Sequence, residues 1–299
     1  MSSFPARVIA TSGSRCSVDV GEEQPLRLSQ RRNRQAVLCG DRVSVAGGVI
    51  EAIAPRRNTF YRADRDGDKQ PIAANIDLAL IVISSEPAPT RDLIARYVIG
   101  CADSNVEPLL VINKSDLFSD YEAFLSWLRE TTAVHEIGVQ WLAVSAYQPA
   151  STHSLRERIE GRVSMLVGMS GVGKSSLMMA LKPGVRLTTQ EVSSAHGKGK
   201  HTTSVTTLYP LNETTALIDS PGVWEYGLWS VPPERVLAAF PDLARYSDQC
   251  KFNDCKHLGE PGCAVRAAVD RDEVAQARLE AFQRIVRTLP AKALWERRS

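Results

Sequence analysis

No apolar run in this 299-residue chain approaches the roughly eighteen residues of a membrane-spanning helix, and no charged-then-apolar leader follows Met1. Neither a membrane span nor export is therefore expected, and a cytoplasmic protein is. The chain also lacks an internal repeat, a long low-complexity tract and a coiled-coil pattern, so a repeat array or an obligate coiled-coil oligomer is not expected and a monomer is. Excess charge is scarce as well: 36 Lys and Arg stand against 34 Asp and Glu, a net +2. Any attraction for a polyanion must then be local. What the chain does have is length for two or three domains and 43% hydrophobic residues, ample for separate cores.

One stretch carries a complete phosphate-binding loop: Gly168, Met169, Ser170, Gly171, Val172, Gly173, Lys174 and Ser175. Its glycines let backbone N–H groups curl around phosphates, Lys174 reaches the β/γ-oxygens, and the Ser175 hydroxyl suits Mg²⁺. The preceding run 163–167 reads as a buried strand. Ser176 to Leu181 reads as the start of a helix whose positive end faces the anion.

The base is chosen elsewhere. Asn113-Lys114-Ser115-Asp116 follows the apolar run 109–112, at the carboxyl end of an expected parallel strand. The Asp116 carboxylate can accept from guanine N1–H and the 2-amino group, a donor pair adenine does not offer. Asn113 would bond the base's other edge or hold neighbouring loops, and the Lys114 stem would cover the ring. Val144, Ser145 and Ala146 make a candidate guanine-side loop. In an ordinary GTPase the base reader follows the phosphate loop, so the parts of a GTP site stand here in permuted order. A P-loop kinase or ATPase is the rival reading, and the guanine-reading tetrapeptide argues against it.

Downstream, Asp219-Ser220-Pro221-Gly222 ends a strand-like run, so Asp219 can support Mg²⁺ through water while the Gly222 N–H meets the γ-phosphate. Between these parts, 197–203 is glycine-rich and basic, as expected of a switch segment. Thr202 or Thr203 would complete the Mg²⁺ shell, with Thr203 favoured slightly. The residue after Gly222 is Val223, which cannot orient water as a glutamine would, so intrinsic turnover should be slow. His201 or a group from a partner would supply the missing polar contact, and a solvated switch histidine is the other reading of His201. Val223 also keeps open a nucleotide-gated RNA scaffold whose hydrolysis is negligible.

Cys250-x4-Cys255-x-His257-x5-Cys263 is a compact Cys₃His set suited to one structural Zn²⁺ with no open position. Disulfides compete with zinc, but the expected intracellular setting favours the metal. Cys16, Cys39 and Cys101 are scattered and read as ordinary buried or partly buried thiols.

The permuted order, the phosphate loop, Lys200-His201-Thr202-Thr203, Asp219-Ser220-Pro221-Gly222-Val223 and the run Glu260-Pro261-Gly262-Cys263-Ala264-Val265 together resemble the bacterial small-ribosomal-subunit biogenesis GTPases, the RsgA or YjeQ family. The resemblance spans nearly the whole chain and is strongest from about residue 74 to 266. It implies an N-terminal OB-fold β-barrel, a circularly permuted P-loop GTPase domain of α/β class and a C-terminal zinc-binding helical domain. It also implies GTP hydrolysis to GDP, stimulated by the small (30S) subunit and its 16S rRNA during late maturation. Two positions depart from the family's usual pattern: Met179 stands where asparagine is usual, and Trp224 where arginine is common.

Residues 1–70 read as five short strands, at 6–11, 16–20, 36–38, 42–45 and 49–53, suited to an OB barrel. Between Arg27 and Arg62 lie eight arginines and two acids. Arg31, Arg32, Arg34, Arg56 and Arg57 are the candidate RNA contacts, with Phe60 and Tyr61 as stacking groups. The expected domains are 1–70, 71–232 and 233–299. In the last of these, 234–240 and 273–289 read as helices, and Arg284, Arg287, Lys292, Arg297 and Arg298 form a basic end.

Overall fold

The structure, a computed structural model, describes residues 6–29, 35–64, 67–132, 139–185, 205–219, 228 and 231–289. The N-terminal strands are β1 (Ala6–Ser12), β2 (Arg15–Asp19), β3 (Leu26–Ser29), β4 (Arg42–Ala46) and β5 (Val49–Ile53). They pair antiparallel in the order β3-β2-β1-β4-β5, and β3 approaches β5 to curl the sheet towards closure. Val8, Cys16, Val18, Leu28 and Val43 fill its interior, as the alternation of apolar and polar residues along each strand requires.

Among the barrel strands β1 to β5, the set differs from expectation at one place, and a further strand at 59–63 follows them. Residues 36–38 form no strand; β3 supplies the fifth, with Leu26 and Leu28 alternating against Arg27 and Ser29. The 36–41 stretch is instead organised by a buried carboxylate. Asp41 is fully buried, its Oδ2 accepts the Leu38 N–H at 2.8 Å, and the Arg56 guanidinium grips both its oxygens at 2.7 and 2.8 Å. Arg56 also donates to the Ala36 carbonyl at 2.5 Å. An apolar tripeptide tethered this way needs no ladder partner.

A hairpin of β6 (Thr59–Ala63) and β7 (Lys69–Ala74) leads into the central sheet. There β8 (Leu78–Ile83), β9 (Glu107–Ile112), β10 (Trp141–Ala143), β11 (Val163–Val167) and β13 (Ala216–Asp219) run parallel in the order β10-β9-β8-β11-β13. Strand β12 (Thr206–Pro210) adds antiparallel beside β13. The strands are near-continuous apolar runs because helices cover both faces. Leu78, Leu80 and Val82 point to the face packed by α3 (Pro149–Ile159) and α4 (Lys174–Leu181). Ala79, Ile81 and Ile83 point to the other, packed by α1 (Arg91–Asp103) and α2 (Tyr121–Thr132).

The C-terminal lobe holds α5 (Pro233–Ala238), α6 (Pro241–Ser247), α7 (Ala264–Asp270) and α8 (Gln276–Thr288). Its Phe240, Leu243, Val265, Phe282 and Ile285 belong to the same apolar cluster as the α1 face of the sheet. Arg284 of α8 pairs with Asp92 at 3.2 Å, and Arg96 donates to the Thr288 hydroxyl at 2.7 Å, fastening α8 along α1.

The barrel is joined to the central sheet by strand pairing. Ala10 and Thr11 of β1 pair antiparallel with Thr207 and Thr206 of β12, so one eleven-stranded sheet runs through both. Beside that short ladder the Cys39 thiol donates to the Ile9 carbonyl at 3.6 Å. Burial pushes this thiol up to about 12, so it stays a neutral filler at the seam. Below it, Asp77 accepts from Arg57 at 2.5 Å and from the Val163 N–H at 2.8 Å. Burial alone would raise the Asp77 carboxyl, but these bonds and the Arg57 and Arg162 charges together hold it below its ordinary value.

Asp41→Ala would leave Arg56 and the Leu38 N–H buried without their acceptor, and a loss of about 3–5 kcal/mol is expected, read as a fall in the urea unfolding midpoint.

Candidate nucleotide site and metal centre

The parallel order sets the site. The carboxyl ends of β9, β8 and β11 lie side by side, so the loops after β9 and β11 meet although the first precedes the second in the chain. The phosphate loop, Gly168 to Gly173, joins β11 to α4, with Lys174, Ser175 and Ser176 in the first helical turn. Gly168 has φ 145°, and a Cβ there would drive into the Val82 carbonyl. Gly173 has φ 92°, and its missing Cβ leaves the room that the Asn113 amide occupies. The Lys174 ammonium donates to the carbonyls of Gly168 at 2.9 Å and Met169 at 2.7 Å, folded over the loop it serves.

Asn113 is buried, and its amide donates to the Val172 carbonyl at 2.8 Å. Its side-chain oxygen is buried and has no hydrogen-bond partner among the described residues. Lys114 takes a left-handed backbone, φ 60°, which turns the chain into a short 3₁₀ turn, Ser115–Leu117. Its ammonium reaches the Glu86 carbonyl at 2.6 Å. Asp116 stands exposed on that turn. The Ser115 N–H donates to the Val144 carbonyl at 3.0 Å, tying this loop to Ser145 and Ala146. Ser145 is fully buried, its N–H donating to the Ser151 hydroxyl at 2.9 Å.

Asp219 closes β13 opposite Leu166 of β11 and Thr207 of β12, at the same sheet edge as the phosphate loop. His201, Thr202, Thr203, Gly222 and Val223 lie outside the described residues, as do Arg31, Arg32, Arg34, Lys292, Arg297 and Arg298. Met179 sits exposed on α4, away from the phosphate-binding turn.

In the C-terminal lobe the ligand atoms of Cys250, Cys255, His257 and Cys263 all lie within 4.8 Å of one another and could hold a metal ion. His257 Nδ1 is 3.6, 3.5 and 3.4 Å from the three sulfurs. A tetrahedral zinc with ordinary Zn–S and Zn–N bonds sets sulfur and nitrogen about 3.6 Å apart. The donor set and its spacing therefore fit that ion, with Nδ1 as the imidazole ligand. Burial lowers the His257 pKa, which keeps the ring neutral and able to ligate. Burial, with the neighbouring sulfurs, pushes Cys255 up to about 12, so metal binding there displaces a proton. The N–H groups of Ala264 and Arg266 point at Cys250 and Cys263 and would favour their thiolates.

The RsgA GTPase family model matches residues 53–229. A small ribosomal subunit biogenesis GTPase, RsgA 1, of Vibrio vulnificus is 39% identical over 94% of this chain and 83% of its own. This chain belongs to the RsgA GTPase family. A relative in Pectobacterium carotovorum named small ribosomal subunit biogenesis GTPase RsgA is 37% identical over 94% of this chain and 84% of its own. Among solved structures, YjeQ from Thermotoga maritima superposes with a TM-score of 0.73 at 25% identity, covering 98% of this chain and 99% of that one. YloQ, titled a circularly permuted GTPase, has the same fold: TM-score 0.67, 23% identity, 99% of this chain and 97% of that one.

Some residues of this RsgA-family chain stand elsewhere than the sequence suggested. Phe60 is fully buried in the main apolar cluster and cannot stack on a base. Arg56 is held against the buried Asp41, whereas Arg57 and Arg284 pair with Asp77 and Asp92 and keep exposed side chains. Tyr61 is partly exposed, with the Lys69 ammonium 4.1 Å from its ring centre. Sequence reasoning missed Glu260 as a support of the metal loop. Its carboxylate accepts N–H groups of Lys256, Leu258 and Gly259, and the Cys255 thiol donates to it. Burial raises this carboxyl, and the backbone bonds outweigh burial to hold it low. Gln283 of α8 donates to the His257 carbonyl at 2.7 Å. An acid inside a Cys/His loop, flanked by Gly259 and Pro261, was the available signal for Glu260.

Gly173→Ala forces a side chain into a left-handed backbone against Asn113, and nucleotide affinity is expected to fall roughly tenfold or more in fluorescent-GDP titrations. Elemental analysis should find one metal ion per chain, lost in Cys255→Ser. Because each thiol sheds its proton on binding, metal affinity should rise from pH 6 to 8 in chelator competition.

Proposed function

We propose that this GTP hydrolase converts GTP to GDP and phosphate on the immature small ribosomal subunit, which stimulates it, and so times its own residence there. The observation that carries the GTP reading is the Asn113–Val172 hydrogen bond, which holds a guanine-reading loop against a phosphate loop. In this reading Asp116 accepts from guanine N1–H and the 2-amino group. The Lys114 stem covers the ring, and Ser145 and Ala146 line the base side. Loop amides of Gly171 to Ser176 take phosphate oxygens, and Lys174 exchanges the Gly168 and Met169 carbonyls for the β/γ-oxygens.

Mg²⁺, bound at Ser175 with Asp219 in support and Thr203 completing its shell, would neutralise charge on the β/γ-phosphates. Gly222 offers its N–H to the γ-phosphate, and His201 or a subunit group orients the attacking water. Zn²⁺ at Cys250, Cys255, His257 and Cys263 would cross-link a lobe whose loop between Cys250 and Cys263 has little apolar content of its own. We take the barrel as 1–70, the GTPase unit as 71–232 and the metal lobe as 233–299, acting as a cytoplasmic monomer. The barrel carries the RNA-facing charge. No helix of the described residues is long and apolar enough to cross a membrane.

Val223 favours one second reading, a nucleotide-gated rRNA-binding scaffold with negligible hydrolysis. Phosphate release from GTP and ATP, with and without purified small subunits, separates the two. GTP-selective multiple turnover that rises strongly with the subunit is expected, and GTP-dependent subunit binding without turnover would establish the scaffold. Lys174→Ala should abolish most turnover. Asp116→Asn should reduce the GTP/ATP preference roughly tenfold or more, as expected for two bonds to a charged acceptor.

A further inference from the structure

The carboxyl ends of β9, β8 and β11 meet at the nucleotide site, and only the outer two lead into loops that carry a motif. The loop after β8, Ser84 to Thr90, matches no nucleotide-binding pattern, yet its strand lies between the other two. Contacts join it to both neighbours. The Pro87 ring lies 3.4 Å from where a Cβ on Gly171 would sit, so this loop rests on the phosphate loop. The Lys114 ammonium donates to the Glu86 carbonyl at 2.6 Å, and its Cε lies 3.9 Å from where a Cβ on Gly173 would sit. The lysine thus leaves the base-reading loop, passes the phosphate loop at Gly173 and ends on the loop after β8.

That end point is set by Ser84. This serine is fully buried just past β8, next to Ile83, whose carbonyl accepts the Asn113 N–H at 2.8 Å. Its hydroxyl donates to the Glu86 carbonyl at 2.8 Å, with the Pro87 carbonyl at 3.5 Å. A carbonyl oxygen offers two lone pairs, and at Glu86 the Ser84 hydroxyl and the Lys114 ammonium meet them. Glu86 and Pro87 are themselves exposed, so the buried hydroxyl links this carbonyl to the core. A lysine stem is flexible and covers a ring well only when it is held to one path. Fixing its ammonium before the nucleotide arrives removes that ordering cost from binding.

We propose that Ser84 is a positioning residue for guanine binding: it aims the Glu86 carbonyl so that Lys114, anchored there, presents its stem as a preformed cover for the ring. This rests on the nucleotide reading given above and adds a buried residue that acts only through Lys114. A serine that merely shaped its own turn would matter equally whether or not the lysine carried an ammonium.

Fluorescent-GDP affinity of the full-length protein tests this in a double-mutant cycle of Ser84→Ala and Lys114→Met, the second of which keeps an unbranched stem and removes the ammonium. Ser84→Ala alone should weaken affinity about fivefold, as for the loss of one hydrogen bond. Lys114→Met should itself weaken affinity, and adding Ser84→Ala to it should change the value by less than about twofold, because the two act through one contact. Should Ser84→Ala fold poorly, judged by its urea unfolding midpoint, Ser84→Cys keeps a similar volume with a weaker donor and takes its place in the cycle with the same expected pattern. Unchanged affinity in the folded Ser84 variant, or an equal loss with and without the Lys114 ammonium, would overturn the proposal. No binding of GDP by the unaltered protein would overturn the nucleotide reading itself, and the positioning role with it.

Discussion

Asn113 and Val172 are 59 residues apart in the chain, and a buried 2.8 Å hydrogen bond joins them. Everything proposed for the site depends on that closure. A base-reading loop and a phosphate loop make one nucleotide site only if they face each other at a fixed distance, and neither can fix that distance alone. The parallel pairing of β9, β8 and β11 brings the loops together, and the Asn113 amide takes the space that Gly173 leaves. Chain order is irrelevant to this geometry because neighbouring strands, not consecutive ones, place the loops.

The sequence was most informative where chemistry restricts residue choice. The phosphate loop, the Asn113-to-Asp116 tetrapeptide and the Cys/His set can be read because few other residues serve there, and the helices follow from apolar periodicity. What escaped was long-range. Arg56 looks like a surface cation until Asp41 is found buried beside it, and Phe60 looks like a stacking platform until the β6–β7 hairpin turns it inward. The strand at 26–29 carries only two apolar residues, and its identity is set by pairing with β2.

The metal lobe gains its position from two sources of unlike kind. Its helices share the apolar cluster of the GTPase core along α1, with Asp92 and Arg96 fastening α8. Its loop is shaped by the Cys₃His set and by Glu260, whose backbone bonds hold the cysteine turn in register. Hydrophobic contact therefore sets where the lobe sits, and the Cys₃His set with Glu260 sets how its loop is formed. Gln283, on α8 and bonded to the His257 carbonyl, is where the two meet.

The pairing of β1 with β12 gives the barrel a second duty. Among the described strands, β12 would otherwise be the outer strand of the GTPase sheet, presenting unpaired N–H and C=O groups to any extended chain that passed. The barrel occupies that edge through Ala10 and Thr11, with the Cys39 thiol filling the gap beside them. A GTPase fragment cut free of the barrel would carry an open β-edge and a ready template for self-association, so the barrel also protects the solubility of the enzyme behind it.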